Sequence, residues 1–213
     1  MSETVSRRSL ARRAAVAAAP AFVPNLLAQS KKMTVGFIGT GGRGNYLMDR
    51  LYAGSAARIT VLGVCDTYAG NLNRAKDKVS TVENKPAKAY VDFQQLLADP
   101  EIQVVVIATP EHLHHEMTLA ALKAGKHVYI EKPLAQTIEK GVELIKAVHA
   151  SGKKVQVGTQ NRSNSLYIMA KTMVSQGLIG ECHYVRAFWY RAALTNGAPA
   201  WRYNIPTDAT PEN

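Results

Sequence analysis

The apolar run Val35-Gly36-Phe37-Ile38-Gly39, with the glycines that follow it, constrains this chain of 213 residues more than any other feature. Gly39-Thr40-Gly41-Gly42-Arg43-Gly44 has the spacing G-x-G-x-x-G. It follows a strand-like run directly and opens a stretch, Gly42 to Ala53, whose pattern predicts a helix. In that setting each glycine has a reason. The first permits a tight turn, the second lets main chain approach a pyrophosphate, and the third lets the helix lie close against the strand. The helix N-terminus then offers unpaired amides to an anion. Asp66 ends the next strand-like run, Ile59 to Cys65, 22 residues beyond Gly44. That position and residue type suit hydrogen bonds from adenosine ribose hydroxyls. A carboxylate there also repels a 2′-phosphate, so NAD is expected ahead of NADP. Asp66 is equally placed to cap the following helix, and Arg43 suits either a pyrophosphate or open solvent.

The rest of the chain repeats this alternation. Helices are expected over Tyr68 to Val82 and Phe93 to Leu97. Gln103 to Ala108 holds Val104-Val105-Val106-Ile107, an unbroken β-branched run of the kind buried on both faces of a parallel sheet. Leu113, Met117, Ala120, Ala121 and Ala124 share one helical face, ended by Gly125. His127 to Ile130 is a strand, and Ile138, Val142, Ile145 and Val148 mark a helix ended by Gly152. Val155 to Val157 is a strand, and Leu166, Met169, Ala170 and Met173 mark a helix ended by Gly177. This is the order of an α/β, doubly wound parallel sheet. Glu181 to Arg191 differs: it is long, aromatic and alternating, and predicts a strand of an antiparallel sheet. Such a strand followed by irregular sequence does not bury itself, so it pairs with another chain or belongs to something longer.

Composition sets the outer limits. With 46% hydrophobic and 20% charged residues the chain is of ordinary globular type. No apolar run reaches the ~18 residues that span a bilayer. Two cysteines do not make a disulfide framework, and Cys65 is expected in the core. Half of the formal net charge of +10 falls in residues 1–32, and the remainder is scattered, which argues against a nucleic-acid partner. That segment has the form of a twin-arginine signal: Arg7-Arg8, two further arginines, then an Ala-rich apolar stretch from Ala14 to Val23, too short to be a stable membrane anchor. Export to the periplasm as a folded protein is the expectation. His112, His114 and His115 invite a metal reading, but no cysteine or carboxylate cluster completes a shell, and no metal is expected.

Three further segments fall where parallel strands are expected to end, which is where open α/β sheets bind ligands. They are Ala108-Thr109-Pro110-Glu111-His112-Leu113-His114, Glu131-Lys132-Pro133 and Gly158-Thr159-Gln160-Asn161-Arg162-Ser163. With the glycine loop and the stretch from Ala124 to Leu134, these resemble the Gfo/Idh/MocA oxidoreductases over residues 33 to about 205. The resemblance implies a Rossmann domain over 33–160 behind the leader, and over 161–213 the beginning of a second α/β domain with a large open sheet. It implies NAD(P)-dependent hydride transfer with a sugar or polyol, and a homo-oligomer for a full-length form. By position, Thr109, Pro110 and His114 would line the nicotinamide half of the site and Glu131 would contact the nicotinamide ribose. Lys132 would be the catalytic residue facing the reacting carbon, and Gln160 and Arg162 would close the pocket. A lysine there stabilises oxygen charge as hydride and proton leave an alcohol, and partial burial would help it relay the proton. The Lys132–Pro133 bond is a candidate cis peptide. The resemblance also implies more than a hundred further residues, with an Asp and a His for proton transfer. Residues 164–213 contain no Asp-x-x-x-His, so a truncated, catalytically incomplete chain is expected. Two alternatives stand beside the dehydrogenase: an NAD-retaining glycosidase of the same family, and a non-catalytic nucleotide-binding module.

Overall fold

The β-branched runs become strands of one parallel sheet. In a computed structural model of the chain, residues 32–188 and 206–210 are described. The proposed leader and the end of the 181–191 segment therefore lie outside the described residues. The strands are β1 (Met33–Ile38), β2 (Ile59–Cys65), β3 (Lys88–Tyr90), β4 (Val104–Ile107), β5 (His127–Glu131) and β6 (Val155–Gly158). They lie in the order β3-β2-β1-β4-β5-β6, all pairs parallel. Between them run α1 (Gly42–Ser55), α2 (Ala69–Glu83), α3 (Phe93–Ala98), α4 (His114–Lys123) and α5 (Ile138–Ser151), with α6 (Ser165–Ser175) after the sheet. This is the Rossmann order, in which the chain winds outward from β1 and then outward again from β4.

Alternation along the strands, shifted by one residue in β2 between Val61 and Gly63, divides the core. Val35, Phe37, Val61 and Val64 face α1 and α2, where Met48, Leu72, Ala75 and Val79 cover them. Ile38, Val105, Ile107, Val128 and Ile130 face α3 and α4, packed on Leu96, Leu97, Met117, Ala121 and Leu122. Both faces of the central strands are thus closed, which is why they read as continuous apolar runs. Each burial of this kind contributes on the order of 25 cal/mol per Å² of apolar surface.

Two elements depart from the sequence expectation. β3 was not foreseen: Lys88-Ala89-Tyr90 has no β-branched residue and pairs only with Gly63–Cys65, at the sheet edge. Residues 181–188, expected as a strand, form no regular structure and are exposed, with Val185 at 81%. The described residues offer that segment no second strand to pair with, and a lone strand has no hydrogen-bonded ladder. No second sheet is found among the described residues.

Candidate functional site

β1 and β4 are neighbours, yet the chain leaves them toward opposite sides of the sheet. That switch opens a crevice beyond their C-terminal ends. A cleft of about 420 Å³ lies there. Its walls include Gly39 and Gly41 from the loop after β1, Asp66 after β2, and Ala108, Thr109 and Pro110 after β4; Val91 and Phe93 add apolar surface. Five of the site residues singled out from sequence are therefore brought to one crevice, Gly39, Gly41, Asp66, Thr109 and Pro110, while Thr40 is buried behind it.

The glycines of the loop do different work. Gly39 has φ +83°, and a Cβ there would lie 2.8 Å from the Ala108 and Thr109 main chain. A Cβ on Gly44 would lie 2.0 Å from the Gly39 carbonyl oxygen. Both are demanded by the fold itself. Gly41 is not: its φ is −61°, and the nearest atom to an added Cβ is Asn71 Nδ2 at 3.4 Å. A methyl group at Gly41 would intrude on the cleft rather than on the protein. The first helical bond of α1 is Asn45 N–H to Gly41 O at 2.9 Å. The amides of Gly42, Arg43 and Gly44 precede it and have no helical carbonyl to reach. No side chain caps this end, whereas Asp92, Thr137 and Asn164 cap α3, α5 and α6.

Asp66 both shapes the loop and bonds the turn ahead of the next helix. Its Oδ2 accepts from Thr40 N at 2.7 Å, from Thr40 Oγ1 at 3.2 Å and from Asn71 Nδ2 at 3.4 Å. Its Oδ1 accepts from Tyr68 N at 3.0 Å. Asp66 is not the cap that was the alternative reading: the N-cap of α2 is Tyr68 and no side chain caps that end, and Asp66 Oδ1 keeps a second lone pair. Beside it, Tyr68 Oη donates to Asp208 Oδ1 at 2.6 Å. Asn71, Val91, Phe93 and Asp208 were not foreseen. Asn71 alone carried a local signal, a polar residue in the first turn after Asp66.

Around the end of β5 the structure corrects the expectations. Arg43, half-buried, is paired with a carboxylate that the sequence did not point to. Its Nε donates to Glu131 Oε1 at 2.8 Å and its Nη2 lies 2.6 Å from the same oxygen, while its guanidinium sits over the Tyr46 ring. Glu131 is buried, and Tyr129 Oη also donates to Oε1, at 3.3 Å. One carboxylate oxygen thus takes all three of these contacts. His114 is 1% exposed, so it does not line the site; both its ring nitrogens face main-chain carbonyls. Lys132 is exposed, so the burial expected for it is not supplied by the described residues. The Lys132–Pro133 bond is cis, as the sequence suggested. Gln160 and Arg162 lie in a short 3₁₀ turn after β6, exposed. Burial and the charges of Asp66 and Asp92 push the Cys65 thiol up to about 12, in keeping with a core residue.

Comparison with known proteins bears directly on this geometry. Residues 33–159 match the model of the GFO_IDH_MocA oxidoreductase family, NAD-binding Rossmann fold. Inositol 2-dehydrogenase of Salmonella typhimurium is 33% identical over 162 residues, covering 76% of this chain and 47% of that protein. A glycosyl hydrolase family 109 protein of Solibacter usitatus is 30% identical over 225 residues, covering 95% of this chain and 47% of its own length. Among solved structures, scyllo-inositol dehydrogenase from Lactobacillus casei with bound NAD(H) and scyllo-inositol superposes with a TM-score of 0.63 at 26% identity. That match covers 71% of this chain and 43% of the other. The chain spans about half the length of the curated relatives it matches.

Proposed function

This chain belongs to the GFO/IDH/MocA oxidoreductase family, with its NAD-binding Rossmann fold, and on that footing we propose that it is the cofactor-holding part of an NAD-dependent sugar or polyol dehydrogenase. The observation that carries the reading is the contrast among the loop glycines: two are required by packing, and Gly41 is required only if something occupies the cleft. The pyrophosphate would rest on the amides of Gly42 to Gly44. Asp66 Oδ1 would accept from the adenosine ribose, and Val91 and Phe93 would flank the adenine. Thr109 and Pro110 would lie along the nicotinamide half, and Glu131 would accept from the second ribose.

Bound NAD supplies an acceptor for hydride from an alcohol carbon. Lys132, one residue beyond Glu131, would place its ammonium beside the reacting hydroxyl and stabilise the charge that grows on oxygen as its proton departs. Its neighbour is fixed by Arg43 and Tyr129, which holds the start of this turn in place. Gln160 and Arg162 would contact the cofactor or substrate from the β6 side. Relatives named for inositol, in sequence and in structure, favour a cyclic polyol over a glycoside as substrate. The experiment is NADH formation with myo-inositol or free sugars. Joined to a substrate-binding half of the kind its relatives carry, the chain is expected to reduce NAD, and Lys132→Met to bind NAD normally while losing most turnover, on the order of 10²-fold or more. Equal rates in the two proteins would overturn the assignment of Lys132. Aryl-glycoside cleavage without polyol oxidation would overturn the dehydrogenase reading.

We further read residues 1–32 as a twin-arginine leader and the protein as exported. The support is the Arg7-Arg8 pair ahead of the Ala-rich stretch. Fusion to a folded reporter, with and without Arg7→Lys and Arg8→Lys, tests it; export that ignores both substitutions would contradict it.

A further inference from the structure

His114 opens α4 with its ring turned into the protein. Nδ1 lies 2.7 Å from the Pro133 carbonyl oxygen and Nε2 lies 3.0 Å from that of Thr109. Carbonyl oxygens only accept, so each bond formed is one the ring donates. A ring with one N–H holds one carbonyl, and a ring with two holds both. The partners belong to different turns. Thr109 follows β4 and lines the cleft, and Pro133 follows β5 directly after Lys132. β4 and β5 are adjacent up to the pair Ile107 and Ile130, after which the ladder ends. Among the described residues no other side-chain hydrogen bond joins the two turns beyond that point.

We propose that His114 is a positioning residue for the nicotinamide half of the site, setting the separation of the Thr109 turn and the Lys132–Pro133 turn through their carbonyls without touching the dinucleotide. This rests on the NAD reading above and assigns a part of the site that the reading leaves open. The physical basis is leverage. A buried ring that donates to the carbonyl of one turn while packed against that of the other removes freedom from main chain that a ligand would otherwise have to order. The adenosine half, built on Gly39, Gly41 and Asp66, has its own hydrogen-bonded supports in Thr40, Tyr68 and Asn71.

The two halves are separable with two ligands: NAD, and ADP-ribose, which lacks the nicotinamide. Three variants of the full chain are compared by calorimetry. His114→Phe removes both ring nitrogens at similar volume. His114→Asn keeps a donor near the Nδ1 place, and His114→Gln keeps one near the Nε2 place. In His114→Phe, NAD affinity is expected to fall about tenfold while ADP-ribose affinity stays within about twofold. His114→Asn and His114→Gln are expected between the two, and they carry the test if His114→Phe does not fold. ADP-ribose binding reports independently that the adenosine half is intact. Unchanged NAD affinity in all three variants would overturn the inference. So would equal losses for both ligands, which mark a general structural role. If wild-type protein binds NAD and ADP-ribose but the variants match it, only this inference fails. If wild-type protein binds neither, the proposed function fails and takes this inference with it.

Discussion

At the scale of single residues, two glycines three positions apart are expected to separate folding from binding. Gly44→Ala drives a Cβ to 2.0 Å from the Gly39 carbonyl, a clash with main chain that has nowhere to move. It should cost about 1–3 kcal/mol, read as a lower denaturation midpoint. Gly41→Ala meets no protein atom closer than 3.4 Å and should leave stability within about 0.5 kcal/mol. Thiol chemistry offers a second check. Cys65 is buried, with its thiol pushed up to about 12, and Cys182 is exposed. One thiol per chain should titrate with an aromatic disulfide reagent at neutral pH, and two after denaturation; two fast thiols in the native protein would contradict the packing of β2. The glycine loop and Asp66 were legible in the sequence because their partners are fixed by short turns and by residue type. Arg43 with Glu131 was not. The two lie 88 residues apart, and no local pattern reports which distant charge a guanidinium will meet. His114 was placed at the right end of the right strand but on the wrong side of the wall. Sequence gives the turn, and burial decides which way a ring faces.

Among elements, β3, α3 and β4 are tied together by one carboxylate. Asp99 Oδ2 accepts from Lys88 Nζ at 2.7 Å and Tyr90 Oη at 2.8 Å, and Oδ1 accepts from Glu101 N at 2.9 Å; Lys88 also pairs with Glu101. Burial raises the Asp99 carboxyl, but the Lys88, Glu101 and Tyr90 bonds outweigh it and hold it below its ordinary value. A carboxyl lowered on folding stabilises the native state above its unfolded value of about 3.9, and that stability is lost as pH falls through the lowered value. Asp99→Asn should therefore cost about 1–3 kcal/mol at neutral pH and flatten the acid limb of the stability curve. An unchanged acid limb would show that the network adds nothing. This network explains why β3 exists without β propensity: side-chain bonds to Lys88 and Tyr90 fix a three-residue edge that the Lys88-Ala89-Tyr90 sequence alone does not signal. The converse holds for residues 181–188. Their alternation has strong strand character, but alternation specifies a face and not a partner, and the described residues provide none.

For the whole molecule, the parallel sheet was readable apart from its edge strand β3, since each central strand is apolar on both faces and Gly125, Gly152 and Gly177 follow α4, α5 and α6. After β6 the helix α6 was readable too, but what its apolar residues pack on was not, because they have no covering layer among the described residues. Leu166, Tyr167, Leu178 and Ile179 are each more than half exposed. Contiguous apolar surface of that kind binds hydrophobic dyes. This chain should enhance anilinonaphthalene sulfonate fluorescence, and Leu178→Ser with Ile179→Ser should reduce the signal; no enhancement would mean that this surface is covered in solution. The central claim concerns the crevice between β1 and β4, and calorimetric titration of the purified chain with NAD tests it most directly. Saturable one-to-one binding, lost in Gly41→Val although that variant melts like wild type, is the expected result. Absence of binding by the folded wild-type chain, or full affinity in Gly41→Val, would contradict it.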